Sequence, residues 1–169
     1  MIKVALSGKK GSGKSTVAEY LSDTFGFDVF SFADGLKMDL ENIGINPDRL
    51  YKDKDETARK LMQLYGQAMS EQNARHWVDQ VLGGIEILEE CCSEAVVIDD
   101  LRFKNEKDVL EDEGFVTIRV IKAGNDDGDN DLSETELDDE TFDYTIFADP
   151  GDLQSLFHNV DVIIGELSS

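Results

Sequence analysis

Eight residues carry the clearest chemistry in the sequence: Gly8-Lys9-Lys10-Gly11-Ser12-Gly13-Lys14-Ser15, a full G-x-x-x-x-G-K-S. They follow a short apolar run, Ile2 to Ser7, and open a segment, Lys14 to Phe25, with helical spacing at Val17, Ala18, Leu21 and Phe25. Strand, glycine loop and helix is the context such a loop needs. Glycines let the backbone wrap close around phosphate oxygens with its N–H groups turned inward, in conformations a side chain would obstruct. The helix N-terminus beneath adds positive potential. Lys14 is suited to bridge the β- and γ-phosphates and the Ser15 hydroxyl to ligate Mg²⁺. Gly8, Lys9, Lys10, Gly11, Ser12, Gly13, Ser15 and Thr16 complete the expected ATP cradle, with Lys14 facing solvent when no nucleotide is bound. Nucleoside triphosphate binding, with Mg²⁺ as cofactor, follows.

A second feature is Val96-Val97-Ile98-Asp99-Asp100, an apolar run that closes on two carboxylates. Ligands of open α/β sheets gather at the carboxyl ends of strands. Either Asp99 or Asp100 can hold Mg²⁺ there, directly or through water.

These groups need a scaffold, and the hydrophobic pattern supplies one. Strands are expected at Ile2–Ser7, Phe27–Phe32, Glu94–Asp99, Phe115–Ile121 and Tyr144–Phe147. Helices are expected at Lys14–Phe25, Asp34–Ile43, Asp55–Ser70, His76–Cys91 and Lys104–Glu113, with a last one from Gly151. Strands separated by helices make parallel βαβ units with right-handed crossovers, hence one three-layer α/β domain of the P-loop NTPase class with a five-stranded parallel sheet. The length of 169 residues and 40% hydrophobic content suit a single domain over residues 1–169 with its own core. There is no internal repeat.

Composition narrows the function. The 37 acids against 16 bases leave a net charge of −21, which argues against coating nucleic acid or an anionic membrane. No run of about 18 apolar residues suggests a membrane span, and the N-terminus lacks a signal-peptide pattern. The only cysteines, Cys91 and Cys92, are adjacent, which fits a reducing cytoplasm better than a disulfide framework. Residues 1–90 carry 15 acids and 11 bases, whereas residues 91–169 carry 22 acids and 5 bases. The acids crowd between Asp126 and Asp143, where a solvated loop or acidic face is expected, with adaptation to salt as the other reading.

The loop alone serves GTPases, motors, helicases and small-molecule kinases. An N-K-x-D guanine-reading sequence is missing, and the charge denies a helicase its basic track. Roughly sixty residues separate the second and third expected strands, far more than a crossover helix needs. They contain Ser31-Phe32-Ala33-Asp34-Gly35-Leu36-Lys37, then Thr57-Ala58-Arg59-Lys60-Leu61-Met62-Gln63-Leu64-Tyr65-Gly66, then Arg75-His76-Trp77-Val78. The third strand leads into Asp100-Leu101-Arg102-Phe103-Lys104-Asn105-Glu106.

These blocks, with the P-loop, resemble the deoxynucleoside monophosphate kinases of tailed phages, within the wider P-loop nucleoside monophosphate kinase group. The resemblance spans nearly the whole chain. Its most specific parts are S-F-A-D-x-L-K, R-K-x-x-Q-x-x-G and D-x-R-F-x-N-E. It implies an adenylate-kinase-like core, a helical acceptor-binding region inserted over residues 34–90 and a short acidic lid over residues 123–143. The implied reaction is ATP plus a (deoxy)nucleoside monophosphate giving ADP and the diphosphate, without a covalent intermediate. A monophosphate acceptor brings two negative charges against the ATP γ-phosphate, so planar arginine forks are the expected clamps: Arg59 and Arg102, with Arg75 behind them. Asp34 and Lys37 are placed to read the acceptor sugar or phosphate, and Gln63 and Trp77 to bond and stack on its base, although a lone tryptophan on an apolar helix face also reads as core. Asp100 suits a holder of Mg²⁺-bound water better than a general base. Neither His76 nor His158 is assigned a catalytic role.

Two positions depart from the family pattern, Asp131 where a lid histidine is common and Ala148 where an asparagine often follows the fifth strand. Arg119 and Lys122 are left as cationic donors to the ATP phosphates, with Arg119 equally open to a role as a strand residue paired to a carboxylate. The partners implied are nucleotides only, with neither nucleic acid polymer nor membrane, in a monomer or homodimer located in the cytoplasm (the host's, if the chain is viral). Phosphomevalonate and dephospho-coenzyme A kinases share parts of these patterns and would change only the acceptor. A non-catalytic nucleotide-binding module with an acidic docking segment is the alternative outside enzymes.

Overall fold

The computed structural model describes residues 1–52, 56–122, 135–149 and 151–168. Its strands are β1 (Ile2–Ser7), β2 (Asp28–Phe30), β3 (Ala95–Leu101), β4 (Val116–Lys122) and β5 (Tyr144–Ala148). Its helices are α1 (Lys14–Phe25), α2 (Phe32–Asn42), α3 (Pro47–Tyr51), α4 (Glu56–Gln72), α5 (His76–Glu90), α6 (Lys104–Asp112) and α7 (Leu153–Leu167). All strands are parallel, in the order β2-β3-β1-β4-β5. The chain is therefore a three-layer α/β fold around a five-stranded parallel sheet.

Strand periodicity builds the two flanking layers, because alternate side chains point to opposite faces. Val4 and Leu6 of β1, Val97 of β3, Val120 of β4 and Ile146 of β5 pack on one face with Val17 and Leu21 of α1 and Val160 and Ile164 of α7. Ala5, Val96 and Ile98 pack on the other with Phe32 of α2, Val78, Val81 and Ile85 of α5 and Leu110 of α6. Val4, Ala5 and Leu6 are wholly buried, as expected of a central strand covered on both sides. No described helix is long and apolar enough to cross a membrane.

Three boundaries differ from expectation. The second strand covers only Asp28–Phe30, because Ser31 is extended at the N-cap of α2 and Phe32 already belongs to the helix. The short α3 was not expected, although Asn46 accepting from the Asp48 N–H, with proline in the first turn, is a sound helix start. The third strand continues past Asp99 to Leu101, and there it carries an irregularity. Ala5 pairs with Ile98 and Ser7 with Leu101, so two steps along β1 oppose three along β3. Asp99 and Asp100 occupy this bulge, a device that re-aims side chains beside functional sites. Of the acidic lid, residues 123–134 lie outside the described residues, as do Asp131 and Asp55.

Candidate functional site

The loop after β1 has the backbone its glycines allow. Gly8 has φ 150° and a side chain there would put Cβ 2.3 Å from the Val120 carbonyl oxygen, so β4 presses on the loop too closely for any other residue. Gly13, at φ 107°, is the left-handed N-cap from which α1 starts. The Ser12 N–H donates to the Lys9 carbonyl at 3.0 Å, tightening the turn. Lys14 differs from expectation: it is buried, not solvent-facing. Its ammonium folds back into the loop and donates to the carbonyls of Gly8 and Lys9. The charge is thus held at the centre of the ring that the loop describes. The Ser12 Oγ is buried there with no hydrogen-bond partner among the described residues. Lys10, Gly11 and Ser15 are exposed, and Thr16 is half-buried in the first turn of α1.

The bulge in β3 separates the fates of the two carboxylates. Asp100 turns to the start of α2, where it accepts from the Ser31 hydroxyl at 2.7 Å, the Phe32 N–H at 2.8 Å and the Ala33 N–H at 3.0 Å. Both its oxygens are occupied as a cap for orphan helix donors, a stable arrangement for a carboxylate. Asp100, expected as a Mg²⁺ or water holder, is thus engaged with the start of α2. Asp99 is the opposite case. Its Oδ1 is buried without a partner among the described residues. Burial, followed by the charges of Asp100 and Asp34, pushes its pKa up to about 6, against the pull of Lys14 and Lys37. A buried carboxylate oxygen lacking a partner beside the loop lysine fits a divalent cation.

Beside the loop opens a cavity of about 540 Å³ lined by Lys9, Ser12, Arg119, Lys122, Asp138 and Phe142, among others. Arg119 donates to the Ser7 Oγ at 2.9 Å and to Asp138 at 2.6 Å, and its guanidinium lies 5.5 Å from the centre of the Phe142 ring. Lys9 approaches the other Asp138 oxygen at 3.5 Å. One carboxylate therefore faces two of the cations expected to meet ATP. Sequence reasoning missed Asp138, and nothing in the acidic run distinguishes it from its neighbours.

On the far side of the loop, Lys37 pairs with Asp34 at 2.5 Å and lies 5.0 Å from the centre of the Tyr51 ring. These two residues share the electrostatic surroundings of Asp99, so the first turns of α2 reach the sheet's carboxyl edge beside the loop. Arg59 and Gln63 project from the exposed surface of α4. Arg102 is half-buried just past β3. Two other residues do not join the group. Trp77 is 8% exposed within the core, with its indole N–H bonded to the Gly66 carbonyl at 3.3 Å. It ties α5 to α4 instead of presenting a face to a base. Arg75 pairs with Asp79 at 3.0 Å and lines a separate cleft along α5 with Lys3, Glu86 and Glu89.

Glu106 was quoted only as part of a motif, yet it is 5% exposed and accepts the Arg102 and Phe103 N–H groups, each at 3.0 Å. Burial pushes its pKa up to about 8 in spite of these bonds.

No protein-family model matches the chain. A protein of Acanthamoeba polyphaga mimivirus named "Putative deoxynucleotide monophosphate kinase" is 29% identical, with 81% of this chain and 82% of its own covered. Among solved structures, a Thermus thermophilus protein aligns with a TM-score of 0.55 at 18% identity, over 99% of this chain and 98% of its own. A sugar kinase of Janibacter sp. aligns with a TM-score of 0.54 at 15% identity, over 95% and 93%. At these identities the two structures speak for the fold alone. The molecule is thus a three-layer α/β protein with a phosphate-binding loop at the head of α1, similar in sequence to a viral protein that bears a nucleotide kinase's name.

Proposed function

We propose that the protein is an ATP-dependent phosphotransferase and that its acceptor is a (deoxy)nucleoside monophosphate. The observation that carries this reading is that the glycine loop with Lys14 and the first turn of α2 with Asp34 and Lys37 lie on either side of one carboxylate, Asp99, whose Oδ1 is buried without a partner among the described residues. Lys14 on one side and Lys37 with Asp34 on the other act on the same Asp99. A donor phosphate in the loop and an acceptor anion at α2 would meet beside that carboxylate. The name of the viral relative supports the nucleotide as acceptor.

The chain's part is positioning and charge neutralisation, which is most of what phosphoryl transfer asks. Inward N–H groups of the loop and the head of α1 hold the β- and γ-phosphates. Lys14 exchanges its two loop carbonyls for phosphate oxygens and neutralises charge at the transferring group. Arg119, Lys122 and Lys9 flank the donor in the cavity beside the loop. Asp99 and Ser15 are the residues that would hold Mg²⁺, and the buried, partnerless Asp99 oxygen is the reason. When bound, Mg²⁺ neutralises phosphate charge. Arg59 and Arg102 clamp the acceptor phosphate, while Asp34, Lys37 and Gln63 read the rest of the acceptor. Trp77 and Arg75 are left out because their side chains are committed elsewhere. Asp100 has a structural task, taken up below.

The decisive experiment incubates purified protein with ATP and Mg²⁺ and, in turn, each common dNMP and NMP, phosphomevalonate, dephospho-coenzyme A and unphosphorylated sugars. Diphosphate product from one or more monophosphates is expected. Transfer only to another acceptor would replace the nucleotide, and ATP binding without any transfer would favour the non-catalytic module.

A further inference from the structure

The short segment Asp100–Glu106, from the end of β3 into the first turn of α6, reaches in three directions. Through Asp100 it caps the first turn of α2, by way of Ser31, Phe32 and Ala33. Through Asn105 it donates to the Ala74 carbonyl at 2.7 Å, in the turn between α4 and α5. Through Glu106 it closes on itself, the one oxygen Oε2 taking the N–H groups of Arg102 and Phe103. Arg102 stands between these anchors.

We propose that Asp100, Asn105 and Glu106 form a clasp that pins the helical region at its entry and at its inner turn, and so fixes Arg102 against the acceptor. They are positioning residues acting through Arg102 and α2, and the inference rests on the monophosphate-acceptor reading.

The packing explains why such a clasp is needed. Helix α4, which carries Arg59 and Gln63, buries only Ala58 among its 17 residues. Its other apolar contacts with the core, through Tyr65 and Met69, are only partly buried, so its packing is looser than that of α1. Hydrogen bonds from a segment rooted in the central sheet can supplement that packing. Those of Asp100 are the stronger kind, a charged acceptor on helix N–H donors. The Asn105 bond is exposed and single, so its removal leaves the core untouched. Because all three anchors arise within seven residues, a displacement at either end of the helical region is transmitted to Arg102.

The test is steady-state kinetics on Asn105→Ala, Asp100→Asn, Glu106→Ala and Glu106→Gln, with acceptor and ATP varied separately. Displacing a clamp by a fraction of an ångström to one ångström costs on the order of tenfold to a hundredfold in productive binding. We expect acceptor KM to rise about tenfold in Asn105→Ala and Asp100→Asn, with ATP KM and the Mg²⁺ requirement within about twofold of wild type. Glu106→Gln, whose amide oxygen still accepts both N–H groups, should recover what Glu106→Ala loses. A lowered melting temperature with acceptor KM unmoved would overturn the clasp in favour of a merely structural role. A Mg²⁺ requirement raised in Asp100→Asn, with acceptor KM unmoved, would overturn it by returning Asp100 to the metal. Hydrogen exchange reads the same variants without turnover. Asp100→Asn should speed exchange at Phe32 and Ala33, and unchanged protection there would also overturn the clasp. Faster exchange in a protein whose wild type phosphorylates no monophosphate would instead sink the acceptor reading, and with it the role given to Arg102.

Discussion

The two sides of the cleft are built on different principles. On the donor side, α1 buries Lys14, Val17, Ala18 and Leu21 among its 12 residues and stands on a central strand with no exposed core position. The groups proposed to meet the phosphates are largely main-chain N–H groups, and the loop is squeezed by the Val120 carbonyl against Gly8. On the side proposed for the acceptor, α4 fully buries Ala58 alone, with Tyr65 and Met69 partly buried, Arg59 and Gln63 are exposed, and the main chain of α2 and of the turn before α5 is bonded by Asp100 and Asn105. A phosphate has one shape and can be met by a rigid backbone. The proposed acceptor, with a base and a sugar, would ask for adaptable side chains on elements of lower local stability.

Removing the loop cation is the severest challenge to this contrast. Lys14→Ala should lower turnover by on the order of 10² or more, because one charge at the transferring group is commonly worth that much. ATP binding and melting should be measured beside it, and near-normal turnover in the folded variant would take the loop out of the mechanism.

Arg59→Ala and Arg102→Ala test the other side. Acceptor KM should rise about tenfold to a hundredfold while ATP KM stays within about twofold, since losing a charged hydrogen-bond partner costs about 1.5–3 kcal/mol. Loss of ATP affinity instead would move that arginine across the cleft.

A smaller effect of opposite sign is expected from Asp138→Asn. Its carboxylate faces both Arg119 and Lys9, and ATP must compete with it for them. The amide should lower ATP KM by about threefold, in keeping with the modest worth of exposed pairs. A raised ATP KM would mean that Asp138 orients Arg119 for ATP.

A prediction about stability, with little bearing on turnover, lies at the seam between the two sides. Glu106 holds its proton up to about pH 8 when folded, whereas an unfolded chain releases it near its ordinary value of about 4.3. Stability from this group is therefore complete below about pH 4, and declines as pH rises toward 8, because only the unfolded chain ionises freely in that window. Melting curves of wild type and Glu106→Gln between pH 5 and 8.5 should show the difference shifting toward the variant as pH rises. Parallel curves would mean that the Glu106 carboxylate is ionised throughout.

What could be read from the residues divides along the same line. The loop, the five strands and the helix that follows the loop were legible because each rests on a local pattern: glycine spacing, apolar runs ended by glycine or carboxylate, and helical periodicity. The acceptor side depended on long-range partners that no local pattern records. Asp99 and Asp100 are equivalent in sequence, and the bulge opposite Ala5 and Ser7 separates them, one bonded to α2 and the other with its Oδ1 buried without a partner among the described residues. Trp77 and Arg75 had suitable chemistry, but a partner on a neighbouring turn had already claimed each: Gly66 for one, Asp79 for the other. Asp138 was hidden among many acids, and its meeting with Arg119 depends on how residues 135–143 return to β5.

The strand order has a consequence for how the chain comes into being. β1 precedes the other strands in sequence, lies between β3 and β4 and does not pair with β2, the next strand along the chain. At about 5–20 residues per second, Val4, Ala5 and Leu6 must wait on the order of ten seconds on a ribosome before Ala95–Leu101 emerges, and longer before β4 brings the Val120 carbonyl against Gly8. Throughout that interval the nascent protein carries an apolar strand with both edges open, the species that holdase chaperones capture and that aggregates when they are scarce. The loop that follows β1 is thus made before both strands that flank it and takes its final shape only when β4 arrives against Gly8.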